Sequence, residues 1–195
     1  MLAVGIEASG NESQRSQWLQ PLLDGTLRSA FSMTEPDTAG SDPTLLKTSA
    51  VRDGEEWVIN GHKWFITNAS VADIVLVFAE TNPDGRPHRH ASVFVVPTGT
   101  PGMEIVRDIG TMAHPDVEYG RAGNHAEIVF RDCRVPADHL IGQPGEGFVL
   151  AQQRLGGGRM HHAMRWLGQA QRSLDIMCER AVSRTSHGKL LARCV

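Results

Sequence analysis

The spacing of the apolar residues changes along this chain, and the change limits the folds open to it. Between residues 51 and 135, short β-branched runs alternate with turn residues, and no helical spacing intervenes. Beyond Gly145, apolar residues recur three and four positions apart, as they do on one face of a helix. This order predicts an α+β chain in which an antiparallel barrel or sandwich precedes a long helix.

A first helix is predicted ahead of the β-rich region, over residues 11–23. Asn11 or Ser13 can cap its start, and Gly25 can end it. Pro21 lies near its end and is expected to tighten or bend the last turn, because proline has no N–H to donate.

The β-rich region begins with a hairpin signal, Asp53-Gly54, within residues 51–59. Further strands are predicted at 74–79, 91–96, 103–106, 126–130 and 134–135. A helix of about 25 residues is predicted over 160–181, and its apolar stripe is typical of a core or an interface.

The composition is that of a globular chain. Of the 195 residues, 41% are hydrophobic and 21% are charged, and no apolar run approaches the roughly 20 residues of a membrane span.

The first ten residues carry no basic leader, so a cytoplasmic location is expected, with a mitochondrial or peroxisomal one open for a eukaryotic chain. Cys133, Cys178 and Cys194 are widely spaced and favour a reducing compartment. His161 and His162 would point about 100° apart on a helix, so no metal site is expected.

The net charge of −3 is unevenly distributed. From Gly145 onward, eight Lys/Arg stand against three Asp/Glu, which is +5, while the preceding 144 residues hold eleven against nineteen, which is −8. A basic C-terminal segment suits a phosphate-bearing ligand, and it suits equally a helix that docks on an acidic face. The overall acidity argues against nucleic acid as a partner.

Two strings in the first half of the chain combine small hydroxyl residues, turn formers and aromatics. The first is Thr-Glu-Pro-Asp-Thr-Ala-Gly-Ser-Asp at 34–42, and the second is Val-Ile-Asn-Gly-His-Lys-Trp-Phe-Ile-Thr-Asn at 58–68. A flavin ring requires an aromatic wall, hydrogen-bond donors at its pyrimidine edge and a hydroxyl beside N5. Thr34, Phe65 and Thr67 are residues of these types. Taken singly, such a Thr is more commonly a strand residue and such a Phe a core residue.

Together the two strings resemble the flavin-contacting segments of the acyl-CoA dehydrogenase family. The resemblance implies an antiparallel β-barrel middle domain, flanked by a short N-terminal helix and a long C-terminal helix, with FAD as the cofactor. The string Arg-Leu-Gly-Gly-Gly-Arg-Met-His-His at 154–162 resembles the branch that contains family members ten and eleven. The implied domains are a remnant of an N-terminal helical domain at 1–30, the flavin- and acyl-CoA-binding domain at 31–142, and the start of a C-terminal helical domain at 143–195.

By this resemblance, six residues are expected to bind FAD. In chain order they are Phe31, Met33, Thr34, Phe65, Thr67 and Arg184. The first three are implied along the pyrimidine edge, the fourth against the ring and the fifth near N5. The sixth is implied at the pyrophosphate and adenine of the FAD in a neighbouring subunit. This chain has Phe65 where the family usually has Trp, and His187 where it usually has Phe.

The resemblance also implies a substrate and a reaction. Ser41 is expected along the acyl-CoA chain, with an ordinary serine turn as the alternative, and Arg159 near the nucleotide of acyl-CoA. In the family, a glutamate removes the α-proton of the thioester while the β-hydrogen leaves as hydride to flavin N5. Complete relatives oxidise acyl-CoA in fatty acid β-oxidation, pass electrons to an electron-transferring flavoprotein, and are homo-oligomers.

The catalytic glutamate has no candidate in this sequence. Some family members carry it immediately before the arginine that matches Arg159, and this chain has Gly158 there. In most family members the glutamate lies in the C-terminal helical domain, so the resemblance implies a base beyond the C-terminus, and the chain alone is expected to be inactive.

Two other interpretations stay open from the sequence. One is a non-catalytic fragment or interaction module that retains the barrel. The other is a hydrolase or acyltransferase that uses Ser41 with a histidine, although no Gly-x-Ser-x-Gly elbow surrounds Ser41.

Overall fold

A computed structural model of the chain describes residues 3–86 and 88–194. These residues form two compact units, one ending at Arg154 and the other beginning at Leu155. The division falls within the longest helix, α4 (Gly147–Ser183). No helix in the part of the chain that the structure describes is long and apolar enough to cross a membrane.

The first unit begins with helices. They are α1 (Ala3–Ser9), α2 (Glu12–Gln14), a π-helical turn (Arg15–Leu19) and α3 (Gln20–Leu23). The last three run on from one another, so the predicted helix over 11–23 is confirmed.

The caps of this helix are those that the sequence predicts. The Asn11 side chain accepts the N–H of Gln14, and the Gln14 side chain accepts the N–H of Asn11. Gly25 follows the helix with a φ of 71°, a left-handed conformation that favours glycine. The effect of Pro21 differs from the prediction, because the distortion is a widened turn before the proline. There the Gln20 N–H bonds to the carbonyl of Arg15, five residues back.

Eight strands form one sheet. They are β1 (Ser29–Ser32), β2 (Ser49–Asp53), β3 (Glu56–Thr67), β4 (Ile74–Glu80), β5 (Ala91–Pro97), β6 (Met103–Ile109), β7 (His125–Pro136) and β8 (Leu140–Ile141). Their order is β6-β7-β3-β2-β4-β5-β8, with β1 paired to β4. The pairings are antiparallel except β1–β4 and β2–β4, which are parallel. The predicted order of helix, β-rich middle and long helix is confirmed, whereas closure into a barrel is not shown among the described strands.

Two strand predictions were wrong in detail. The segments predicted at 126–130 and 134–135 belong to one continuous strand, β7. It passes through Asp132, whose φ is 48° and whose N–H donates to the Asn60 side chain across the sheet. β1 was not predicted, because Phe31 is the one β-branched or aromatic residue among its four.

The core lies on both faces of the sheet. Six consecutive residues are buried in β4 and six in β5, as expected where both faces of a strand are covered. Alternate residues of β4 belong to different apolar clusters: Val75 and Val77 to one, Leu76 and Phe78 to the other. The second cluster includes Trp18 of the N-terminal helices, so those helices cover one face of the sheet.

The long helix α4 begins earlier in the chain than predicted. α4 includes Gly156 and Gly157, which sequence propensity disfavours by about 1 kcal/mol each in a helix interior. Its apolar stripe is more than half exposed among the described residues, at Met160, Met164, Leu167, Leu174 and Met177. The stripe is therefore not core within this chain, and its use as an interface stays a prediction.

A small hairpin follows α4, formed by β9 (Thr185–Ser186) and β10 (Lys189–Leu190). Its two turn residues, His187 and Gly188, have φ values of 50° and 75°. Two-residue hairpins favour positive φ at such positions, and histidine is among the non-glycine residues that tolerate it.

Candidate cofactor site

The two strings that the sequence singles out meet in the folded chain. The Thr34 carbonyl accepts the Trp64 N–H at 3.1 Å, and the Thr34 hydroxyl donates to the Trp64 carbonyl at 2.6 Å. Thr34 lies two residues beyond the end of β1, and Trp64 lies within β3. This pair of bonds fixes the turn after β1 against the strand that carries Phe65 and Thr67.

A β-bulge in β3 makes this contact possible. Lys63 pairs with Ile128 of β7 and Ile66 pairs with Ala126, so β3 has one more residue than β7 in this interval. The bulge occurs at Trp64 and Phe65, and Trp64 directs its backbone N–H and carbonyl to Thr34.

Phe65 has an unusual conformation in this bulge. Its φ is 53°, which a bulky side chain rarely adopts and which costs about 1–3 kcal/mol. Its side chain is nevertheless 42% exposed, and its ring meets that of Trp64 edge-on at 5.1 Å. The fold thus holds an aromatic ring at the surface in a strained backbone, an arrangement typical of a binding site rather than a core.

Thr67 lies two residues beyond Phe65, and both side chains are exposed while Ile66 between them is buried. The ring of Phe65 and the hydroxyl of Thr67 both lie near one side chain, since the ring of His125 is 6.2 Å from that of Phe65. The Thr67 hydroxyl lies 2.9 Å from Nδ1 of His125, the residue opposite it on β7.

A buried ion pair between Lys63 and Glu35 stabilises the turn at Thr34. Lys63 is fully buried, and its ammonium group donates to the Met33 carbonyl and to the Glu35 carboxylate, each at 2.9 Å. Glu35 also accepts the backbone N–H groups of Lys47 and Thr48, both at 2.8 Å. One side chain of β3 therefore holds both neighbours of Thr34 in place.

Burial and pairing shift the pKa values of both partners. Burial lowers the pKa of Lys63 to about 8, although the charge of Glu35 and its hydrogen bond oppose the shift. Burial acts to raise the pKa of Glu35, but the positive charge of Lys63 and the hydrogen bonds to the carboxylate lower it overall. Glu35 is thus held as a carboxylate, which suits an anchor and not a proton-accepting base with a raised pKa.

The lowered pKa of Lys63 predicts a pH dependence of stability. Because the ordinary pKa is 10.5 and the folded value is about 8, unfolding takes up a proton between these pH values. The pH-dependent part of the free energy of unfolding that comes from Lys63 should therefore rise with pH across this window. That part should be absent below about pH 8, where Lys63 is protonated in both states and pairs with Glu35 in the folded one. Urea unfolding across the window should show the wild type gaining stability relative to Lys63→Met. Relative to Lys47→Met, which removes an exposed lysine, no such gain is expected, and parallel curves for Lys63→Met would contradict the prediction.

The loop that carries Ser41 folds back beside Thr34. A Cβ on Gly40 would lie 3.1 Å from Cγ2 of Thr34, so the loop approaches Thr34 closely. Asp42 stabilises the turn by accepting the backbone N–H of Thr44 at 3.0 Å. Ser41 itself is exposed. The close approach of the adjacent Gly40 brings this predicted substrate residue near Thr34, a predicted cofactor residue.

The other four residues predicted to bind cofactor or substrate lie outside the bulge and the Ser41 loop. They are Phe31, Met33, Arg159 and Arg184. Phe31 and Met33 are partly buried and pack against the core on one face of the sheet, and Met33 contributes its carbonyl to Lys63. Arg159 and Arg184 belong to the second compact unit. The first unit thus brings together Thr34, Phe65, Thr67 and the Ser41 loop.

Two residues of this site were missed from the sequence. Lys63 could have been found, because Trp57 and Ile59 are buried and Lys63 has the same parity along β3. His125 had no local signal, because its position opposite Thr67 depends on the register of two strands 58 residues apart.

The residues present fit a flat aromatic ligand with a polar edge. Phe65 offers an exposed ring, Thr67 a hydroxyl two residues further along β3, and the Thr34 turn a rigid backbone edge fixed by Lys63. These are the kinds of groups that an isoalloxazine ring requires.

The match to known families agrees with this geometry. Residues 30–133 match the model of the acyl-CoA dehydrogenase middle domain, and residues 145–194 match that of the acyl-CoA dehydrogenase C-terminal domain. The chain therefore belongs to the acyl-CoA dehydrogenase family.

Individual members of the family and solved structures are similar to nearly the whole of this chain. The chain is 48% identical over 185 residues to the probable acyl-CoA dehydrogenase FadE2 of Mycobacterium tuberculosis, covering 94% of this chain and 44% of FadE2. It is 44% identical to acyl-CoA dehydrogenase family member 11 of Homo sapiens, covering 93% of this chain and 23% of that protein. The solved structure of PigA with FAD and proline superposes with a TM-score of 0.81 at 28% identity, covering 98% of this chain and 48% of PigA. The chain thus spans less than half the length of these relatives, and its likeness to family member 11 confirms the predicted branch.

Proposed function

We propose that this chain is the flavin-holding part of an FAD-dependent acyl-CoA dehydrogenase. Such an enzyme oxidises an acyl-CoA thioester to the α,β-unsaturated product, and FAD supplies the hydride acceptor. The observation that carries the proposal is the β-bulge that joins the two strings, with Phe65 strained and exposed beside Thr67. A strand with only a structural role has no need of this arrangement.

Each cofactor residue has a physical task in this proposal. Phe65 packs on the flavin ring, and Thr67 provides a hydroxyl beside N5. The turn at Thr34, with Phe31 and Met33 before it, forms the pyrimidine edge, and Lys63 keeps that edge fixed. Arg184 contacts the pyrophosphate and adenine of FAD in a neighbouring subunit, so the active assembly is a homo-oligomer.

The substrate side is proposed on the same frame. Ser41 lies along the acyl-CoA chain, and Arg159 near its nucleotide. Neither Glu35 nor position 158 serves as the base in this proposal, because Glu35 is engaged by Lys63 and Gly158 carries no side chain. Electrons pass to an electron-transferring flavoprotein, and a cytoplasmic, mitochondrial or peroxisomal location fits these partners.

The proposed domains follow the same scheme. Residues 1–30 are a remnant of an N-terminal helical domain, 31–142 bind flavin and acyl-CoA, and 143–195 begin a C-terminal helical domain.

The proposal predicts that Phe65→Ala weakens FAD binding. Loss of the aromatic wall should raise the dissociation constant roughly tenfold or more, while the protein stays folded because Phe65 is 42% exposed. The measurement is the flavin spectrum retained after gel filtration with added FAD, followed by titration of flavin fluorescence. Val51→Ala, which truncates a 63% exposed side chain on β2, is the control and should bind FAD as the wild type does.

Either outcome separates the two functional interpretations. A wild-type chain that retains FAD, with binding lost in Phe65→Ala, supports a cofactor site. A folded wild-type chain that retains no flavin would instead support the non-catalytic module.

A further inference from the structure

Thr67 and His125 face each other across β3 and β7, immediately after the bulge. They are register partners, and the Thr67 hydroxyl oxygen lies 2.9 Å from Nδ1 of His125. The His125 ring also lies 6.2 Å from that of Phe65, at a tilt of 56°. His125 is partly buried whereas Thr67 is exposed.

The proton arrangement of this pair decides what Thr67 can do. A threonine hydroxyl has one proton to donate, whereas Nδ1 of a neutral histidine is either a donor or an acceptor. If Nδ1 is bare, it accepts the hydroxyl proton, and Thr67 presents only lone pairs to a ligand. If Nδ1 carries the proton, it donates to the Thr67 oxygen, and the hydroxyl proton is left for the ligand.

Other residues around the pair are already engaged. Glu127, two residues along β7, binds Arg107 at 2.7 Å and His62 at 2.7 Å. Asn68, which follows Thr67, accepts the N–H of Gly123 at 2.6 Å. Within the described residues, the side chain that contacts the Thr67 hydroxyl at hydrogen-bond distance is that of His125.

We propose that His125 is a positioning residue for the cofactor site, and that its Nδ1–H donates to Thr67. This inference rests on the proposed function, in which Thr67 lies beside N5 of the flavin. An oxidised flavin has an acceptor at N5, so it requires a donor from the protein. When Nδ1–H of His125 donates to the oxygen of Thr67, the hydroxyl proton of Thr67 is free to donate to N5.

The first test needs no flavin. Nitrogen NMR of the neutral His125 ring, assigned by its loss in His125→Asn, should show the proton on Nδ1 in the wild type. The preference should weaken in Thr67→Val, which removes the hydroxyl acceptor. A bare Nδ1 in the wild type, or a tautomer unchanged in Thr67→Val, overturns the proposal.

The second test is a double-mutant cycle on FAD affinity. His125→Phe keeps a ring but removes the donor, and it should weaken FAD binding roughly three- to tenfold, the size of one hydrogen bond. In the Thr67→Val background the same change should alter affinity less than about twofold. His125→Asn, whose amide N–H can take the place of Nδ1–H, should retain most of the affinity.

The outcomes separate the positioning role from others. An effect of His125→Phe that persists in Thr67→Val would show that His125 acts on FAD directly, which contradicts the proposal. A lowered Tm with unchanged FAD affinity would leave His125 with a structural role alone and contradict it too. If the wild type binds no FAD, the proposed function fails, while the NMR measurement still decides the direction of the hydrogen bond.

Discussion

Replacing Lys63 with Met is expected to lower the free energy of unfolding by about 3–5 kcal/mol. The substitution leaves the Glu35 carboxylate, which is 4% exposed, without its cation. It also removes the donor to the Met33 carbonyl. Breaking one side of a buried pair is costly because the remaining charge stays desolvated. Urea unfolding of the purified chain at neutral pH measures the change.

Three further variants test the physical cause. Glu35→Gln removes the partner charge, and the double variant should lose less stability than the sum of the single losses, because neither then leaves a lone charge. Arg131→Met is the matched control: its pair with Glu104 is 68% and 57% exposed, so it should change stability by less than about 1 kcal/mol. A loss of that small size in Lys63→Met would contradict the role of the buried pair.

Gly61→Ala is expected to destabilise the chain by about 1–3 kcal/mol through overpacking. A Cβ at this position would lie 2.3 Å from Oγ1 of Thr48 and 2.6 Å from its Cβ. The side chain of Thr48 is fully buried, and its backbone N–H is tied to Glu35, so it has little room to move. The added methyl group would therefore push on the segment that supports the ion pair.

Gly156→Ala is the control, and its expected effect on stability has the opposite sign. Gly156 lies within α4 with no atom within 4 Å of its Cβ position, so alanine should stabilise the helix by about 0.5–1 kcal/mol. Thermal unfolding followed by circular dichroism compares the two variants. Equal stability of Gly61→Ala and the wild type would show that Thr48, which precedes β2, does not approach Gly61 of β3 as closely as described.

Local signals were sufficient for some elements and not for others. The Asn11 cap, the Gly25 stop and the Asp53-Gly54 turn were found because each depends on residues adjacent in sequence. β1 and the full length of β7 were missed because they exist through pairing with distant strands. The start of α4 was predicted too late in the chain, because glycine disfavours a helix by propensity. The helix nevertheless continues through Gly156 and Gly157.

The sequence by itself determined which residue types were available to the candidate site, and in which order. Thr34, Phe65 and Thr67 could be proposed because their strings resemble those of a known family, whose membership the family match confirms. Tertiary structure decided how they are arranged: the bulge that turns the backbone of Trp64 toward Thr34, the burial of Lys63 beside Met33 and Glu35, and the placement of His125 opposite Thr67. The physical reason is that these features depend on strand register. Register is set by the packing of the whole sheet, and a shift of one residue would turn each of these side chains to the opposite face.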